Sequence, residues 1–156
     1  MTEINIQQKP IYAVNIKQKP IHSIPIKSKG IFARNILQDS EFDDPTKWSI
    51  TGIGTITGGK FIKSGAPLAV TLSQSSLSFT SGKTYTFIIY VVSIIGQIST
   101  QNIAFSLGGG TVVNQILTAG INKIDVLAGS SNTIALVSFP AAVGQVVFES
   151  MYLNKK

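Results

Sequence analysis

Residues 5–34 read NIQQKPIYAV NIKQKPIHSI PIKSKGIFAR, one ten-residue unit repeated three times. The copies align Ile6, Ile16 and Ile26, then Lys9, Lys19 and Lys29, then Pro10, Pro20 and Gly30, then Ile11, Ile21 and Ile31. An aromatic slot holds Tyr12, His22 and Phe32, and a fourth copy starts at Asn35-Ile36 before dissolving into LQDSEFDDPTKW. Ten is even, and side chains on an extended strand alternate with period two, so each copy shows the same face as the last. Every lysine of the segment falls on one face, where Ile11, Ile21 and Ile31 also fall, with Ile6, Pro10, Tyr12, Ile16, Pro20, His22, Ile26 and Phe32 on the other. A helix would drift out of register, because three turns take about 10.8 residues, and proline recurs inside the repeat. The segment is therefore expected to be an extended arm. Proline bars it from a central strand, which leaves an edge strand or a peptide docked in a groove. Alone, the arm could not bury its apolar face or offset its ordering entropy. Two readings follow: a disordered tail, or an anchor that orders on several equivalent partner sites or in a bundle of arms. Fully extended, the arm reaches about 110 Å.

Charge divides the chain in the same place. Residues 1–37 hold six basic residues against Glu3, while the remaining stretch is nearly balanced at +1 of the total +6. An electrostatic partner would be met by the arm. Nucleic acid is a poor fit, since the lysines are sparse, Arg34 is the arm's single arginine, and the isoleucines would gain nothing from a duplex. With no cysteine, disulfides and thiolate metal sites are excluded. The start MTEINIQQKP has no apolar core segment, so a secretory leader is not expected. The longest apolar run, FIIYVVSII, is far short of the ~20 residues of a membrane helix and reads as a buried strand.

From Leu37 onward every signal is β. Candidate strands are WSITGIGTI, GKFIK, PLAVTLSQ, SLSF, KTYTFIIYVVS, NIAFSL, TVVNQIL, NKIDVLAG, NTIALVSF and QVVFESMYL, separated by Gly-Gly, Ser-Gly, Ala-Gly and Ser-Ser-Asn turns. Such a series in about 120 residues predicts an all-β fold, a two-sheet jelly-roll β-sandwich over residues 37–156, preceded by the arm at 1–36.

The opening NILQDSEFDDPTKWSITGIGTI resembles that of galactose-binding-like, carbohydrate-binding-module-type jelly rolls, through Asn35, Ile36, Leu37, Phe42 and Trp48. SLSFTSGKTYTFIIYV is similar to the family's middle stretch through Leu77, Phe79, Gly82, Lys83, Tyr85 and Phe87, and VVFESMYLNKK looks like its closing strand. The resemblance spans roughly Asn35–Leu153. Domains of this type occur in glycoside hydrolases and in tailed-phage virion proteins. They often hold a structural calcium, for which the resemblance offers Glu41 or Asp43 as the early acid and Glu149 in place of the usual closing Asp. The other reading of these three is as ordinary rim acids, too few to make an oxygen cage.

Catalytic constellations fail one by one. His22, the sole histidine, occupies the aromatic slot of the arm and is expected to pack there. Asp43-Asp44 before Pro45 reads as a turn or helix-cap feature, because sequence neighbours rarely flank a glycosidic bond. Gly108–Gly110 lacks the Lys-Ser/Thr of a phosphate loop and reads as a hairpin turn. No enzyme is expected. Trp48 and Tyr90 are the candidate sugar platforms, with Trp48 expected to face the core, and Tyr152 is ambiguous. Two functions stay open. One is a bacteriophage virion structural protein on the head or tail surface, its arm docking on a capsid or tail lattice, with a homo-oligomer, a trimer by preference. The other is a carbohydrate-binding adhesion module for cell-surface glycans, tethered by the arm. The decapeptide register favours the first, since a tether needs none.

Overall fold

The computed structural model describes residues 35–131 and 135–156. The readings placed on the arm, from Ile6 to Phe32 and including His22, lie outside these residues. Ten strands follow in order: β1 (Ser49–Thr51), β2 (Gly54–Ile56), β3 (Phe61–Lys63), β4 (Val70–Gln74), β5 (Thr84–Gly96), β6 (Ile103–Leu107), β7 (Val113–Gln115), β8 (Gly120–Leu127), β9 (Ala135–Phe139) and β10 (Gly144–Lys155). They form two five-stranded antiparallel sheets, β1-β4-β9-β6-β7 and β2-β3-β10-β5-β8. The fold is the all-β sandwich that the strand series implies.

The two sheets meet through alternate residues of each strand. Val70 and Leu72 of β4, Ile103, Phe105 and Leu107 of β6, and Ala135, Val137 and Phe139 of β9 are buried from one side. Tyr85, Phe87, Ile89 and Val91 of β5 and Val146, Phe148, Met151 and Leu153 of β10 are buried from the other. At one end the core is aromatic: Phe61 lies 5.4 Å from Phe139, 5.7 Å from Phe148 and 6.2 Å from Phe42, which lies 5.0 Å from Trp48. Ring contacts of this kind add about 0.5–1.5 kcal/mol each beyond the area they bury.

Three elements differ from the sequence expectation. WSITGIGTI is two strands in two sheets, with the chain crossing between them at Gly52. Gly52 has φ +92°, and a Cβ there would stand 2.3 Å from the Ala69 carbonyl oxygen, so only glycine allows the crossing. SLSF is not a strand; Leu77 and Phe79 are buried, but Ser76 at φ 58° breaks the extended path, and the Thr80 N–H donates to the Tyr85 hydroxyl at 2.7 Å instead of to a ladder. FIIYVVSII is buried on one face alone, and its other face is exposed at Tyr90, Val92 and Ile95.

The chain enters the sandwich along the edge of β10. Beyond Phe148, which pairs with Phe61 at the start of β3, the Ile36 N–H donates to the Leu153 carbonyl and the Met151 N–H to the Ser40 carbonyl. The Leu153 N–H donates to Asn35 Oδ1 at 2.9 Å. Asn35 and Ile36 are therefore already part of the sandwich.

Candidate functional site

The outer faces of the two sheets differ in chemistry. In the first sheet the outward positions are mostly small and polar, including Thr71 and Ser73 on β4, Ser138 on β9 and Ala104 and Ser106 on β6, with the half-buried Leu136 of β9 among them. None of its strands carries an exposed large hydrophobic among the described residues. In the second sheet Tyr90, Val92 and Ile95 on β5 and Ile121 and Leu127 on β8 are exposed, with Tyr90 at 41%.

Register places these side chains in rows. Ile121, Tyr90 and Ser150 are cross-strand partners over β8, β5 and β10. The next row is Lys123, Ile88 and Tyr152, and the one after it Asp125, Thr86 and Asn154. Tyr90 and Tyr152 are thus diagonal neighbours on adjacent strands, at a typical separation of about 7–8 Å. The face has an apolar floor and polar borders. On one border the Lys123 ammonium has no partner among the described residues, and Lys156 forms an ion pair with Asp125, whose Oδ1 also accepts from Thr86 at 2.6 Å. The ammonium and the hydroxyl hold the Asp125 carboxyl below its ordinary range. On the other border the Tyr152 hydroxyl sits among Glu41, Ser150 and Ser40; burial, and then the Glu41 carboxylate, raise its pKa. Asn154 adds a buried Oδ1 with no donor among the described residues.

Paired bulges shape the middle of this face. The β5–β10 register shifts on either side of Phe148, leaving Val92 as the extra residue of β5 and Glu149 as the extra residue of β10. A bulge turns two consecutive side chains toward the same side, which brings Glu149 outward beside Ser150 and Val92 outward beside Ser93. Sequence alternation alone could not locate either.

The remaining candidates separate. Trp48 is 8% exposed, with its ring tilted 39° against that of Phe42 and its indole N–H donating to Asp39 Oδ2 at 3.0 Å. The Trp48 ring is thus enclosed in the core, whereas the Tyr90 ring is exposed on the second sheet. Asp39 also accepts from the backbone N–H groups of Asp43 and Asp44, holding the turn in which Phe42 takes φ 55° and drops its ring into the core. Asp44 caps the short 3-10 turn Pro45–Lys47 by accepting from the Thr46 hydroxyl and N–H, which lower its pKa. Glu41 stands by Tyr152, Asp43 over the Gly59 turn and Glu149 on the bulge. Among the described residues no group of three or more His, Cys, Asp or Glu could hold a metal ion. The Gly108–Gly110 stretch is the turn between the paired strands β6 and β7.

An open cleft of about 570 Å³ lies elsewhere, where the chain enters, lined by Ile36, Ser78, Thr80, Ser81, Ser130 and Lys155 over the buried Phe79 and Tyr85. It presents hydroxyls and one lysine, with neither an acid nor an open aromatic ring.

No protein-family model matches the chain, and no curated protein does. Solved structures do match its fold. TmCBM61, determined in complex with β-1,4-galactotriose, superposes with TM-score 0.51 at 17% identity, covering 79% of this chain and 99% of its own. The second N-terminal cellulose-binding domain of Cellulomonas fimi β-1,4-glucanase C gives TM-score 0.51 at 12% identity, over 79% and 95%. The enzymatically active domain of bacteriophage CBA120 tailspike protein 4 gives TM-score 0.50 at 14% identity, over 78% of this chain and only 21% of that one. What this chain shares with them is the fold, a two-sheet β-sandwich of the kind seen in these carbohydrate-binding modules.

Proposed function

We propose that the sandwich is a non-catalytic carbohydrate-binding module whose glycan lies across the outer face of the second sheet. One observation carries this reading: a partly exposed Tyr90 on a floor of Ile88 and Ile121, bordered by Ser150, Tyr152, Glu41 and Lys123. A sugar ring has an apolar face of C–H groups and a rim of hydroxyls. Tyrosine offers an apolar face with a polar tip, and the surrounding polar groups can take the hydroxyls. Two modules of known glycan or cellulose binding share the fold, which supports the assignment. The test is a glycan array followed by calorimetry on the best ligand. Wild type is expected to bind and Tyr90→Ala to lose at least about tenfold in affinity, ~1.4 kcal/mol. Absence of any ligand, or full binding by Tyr90→Ala, would overturn the proposal.

A second reading rests on the decapeptide register, which a plain tether does not need. In it the protein is a virion component of a phage, the arm docks its repeated units on a capsid or tail lattice, and the sandwich faces outward. Linked units reinforce one another by ~10²–10⁴ per linkage. Deleting residues 15–24 removes one unit and keeps the two faces in register, so binding to a purified particle should weaken; unchanged binding would remove this reading.

A further inference from the structure

Four strands form the edges of the two sheets, and three of them, β1, β2 and β7, are three residues long. The fourth, β8, has eight residues and pairs with β5 on one side only. Short edge strands are a common protection against edge-to-edge pairing, and β8 lacks it. The polarity of its free edge follows from one bond. The Ala128 N–H donates to the Lys83 carbonyl, on the β5 side. Residues of the same parity, Asn122, Ile124 and Val126, therefore turn their backbone groups toward β5, and Ile121, Lys123, Asp125 and Leu127 turn theirs outward.

These four outward residues form a chemical palindrome about Ile124: Ile121 and Leu127 are exposed at 69% and 46%, with Lys123 and Asp125 between them. We propose that β8 pairs antiparallel with β8 of a second copy about a two-fold axis through Ile124, setting Lys123 against Asp125 of the other copy and Ile121 against its Leu127. The register is fixed by three separate features. Backbone parity makes Lys123 and Asp125 a hydrogen-bonded pair, as a ladder centred on Ile124 requires. Charge sets an unpartnered ammonium against a carboxylate in both halves of a self-complementary interface. The exposed apolar residues meet at both ends. Gly110 limits the ladder, since its Cα side lies against the Leu127 carbonyl, where a Cβ would stand 2.3 Å away. Backbone bonding is therefore confined to the two Lys123–Asp125 pairs, with Ile121 and Leu127 meeting through side chains. The assembly would join two second sheets into one ten-stranded sheet and place two Tyr90 faces side by side. The proposal stands whether or not that face binds sugar.

The experiment is sedimentation velocity on the full chain over a concentration series to the millimolar range, with each variant first melted to confirm folding. Wild type is expected to double its mass with concentration, and Lys123→Glu and Asp125→Lys each to remain one step smaller through like-charge contact. An equimolar mixture of the two variants is expected to reassemble. In the mixed pair the two substituted positions meet with opposite charges, and the native Asp125 of one copy meets the native Lys123 of the other. A wild type that never associates, an association indifferent to Lys123→Glu, or a mixture of folded variants that stays apart would each overturn the proposal. Lys123 has no hydrogen-bond or ion-pair partner among the described residues, so its variant decides the matter alone if Asp125→Lys fails to fold.

Discussion

The two outer faces of this sandwich are built on the same alternation and end in different chemistry. On the first sheet, alternation buries Leu72, Val137 and Phe105 and leaves Thr, Ser, Ala and one half-buried leucine, Leu136, on the outer side of β4, β6 and β9. On the second, β5 buries Tyr85, Phe87, Ile89 and Val91 and still keeps Ile88, Tyr90 and Val92 for the outside. A face that needs only to be wet has no use for tyrosine and isoleucine. Apolar side chains kept on a solvent-facing sheet surface lose favourable transfer free energy of about 25 cal/mol per Å² until something covers them. This asymmetry supports the second face as the one that meets a ligand, with the first as wall.

The largest effect tests whether Trp48 belongs to the core or to the site. Trp48→Ala removes a buried ring and the donor to Asp39, and is expected to cost about 3–5 kcal/mol in urea unfolding. A stable Trp48→Ala protein that had lost glycan binding would move the site away from the second sheet's outer face.

Lys63 comes next. It is fully buried on the inward side of β3, and its ammonium donates to the carbonyls of Ala142 at 3.0 Å, Ser64 at 3.3 Å and Ala66 at 3.4 Å. Three carbonyls stand in for a carboxylate and tie two loops together. Lys63→Met is expected to cost about 1–3 kcal/mol, chiefly for the carbonyls left without a donor. Burial lowers the Lys63 pKa in the folded state. Its titration therefore favours folding fully above the unfolded lysine pKa, and that contribution is lost as pH falls through the lowered folded value. Wild type should gain stability over Lys63→Met as pH rises toward about 10.4. A gap that narrows over this range would contradict the assignment.

Smaller effects separate the two faces directly. Tyr90→Ala should change unfolding free energy by no more than about 0.5 kcal/mol while weakening glycan binding at least about tenfold. Thr71→Ala and Ser138→Ala, on the opposite face, should change neither quantity measurably. Loss of binding in the second pair would reverse the comparison.

Much of this fold can be read in the amino acids. Alternation in TYTFIIYVV and in ALVSF, with glycine-rich punctuation, marks the strands because one face of each must be buried. The indole of Trp48 is placed by its neighbours Phe42 and Asp39 in the opening motif. Other features depend on contacts distant in sequence. Gly52 divides WSITGIGTI between sheets because of Ala69, which no local pattern reveals. Lys63 has the parity of Phe61 and so points inward, against its charge, because carbonyls from residues as far away as Ala142 receive it. Tyr90 is visible in the sequence as a candidate, but its outward direction is not, since FIIYVVSII is apolar at both parities. The Val92 and Glu149 bulges and the β8 palindrome acquire meaning only once the cross-strand register is known.

The central claim is that one outer face binds and the other does not, and amide chemical-shift mapping during a glycan titration tests it most directly. With β-1,4-galactotriose, cello-oligosaccharides and the best array ligand as titrants, the largest shifts are expected at Ile88, Tyr90, Ile121, Ser150 and Tyr152. Thr71, Ser73, Ala104 and Ser138 should remain still. Shifts concentrated on those four residues, or a spectrum unmoved by every glycan, would contradict the account.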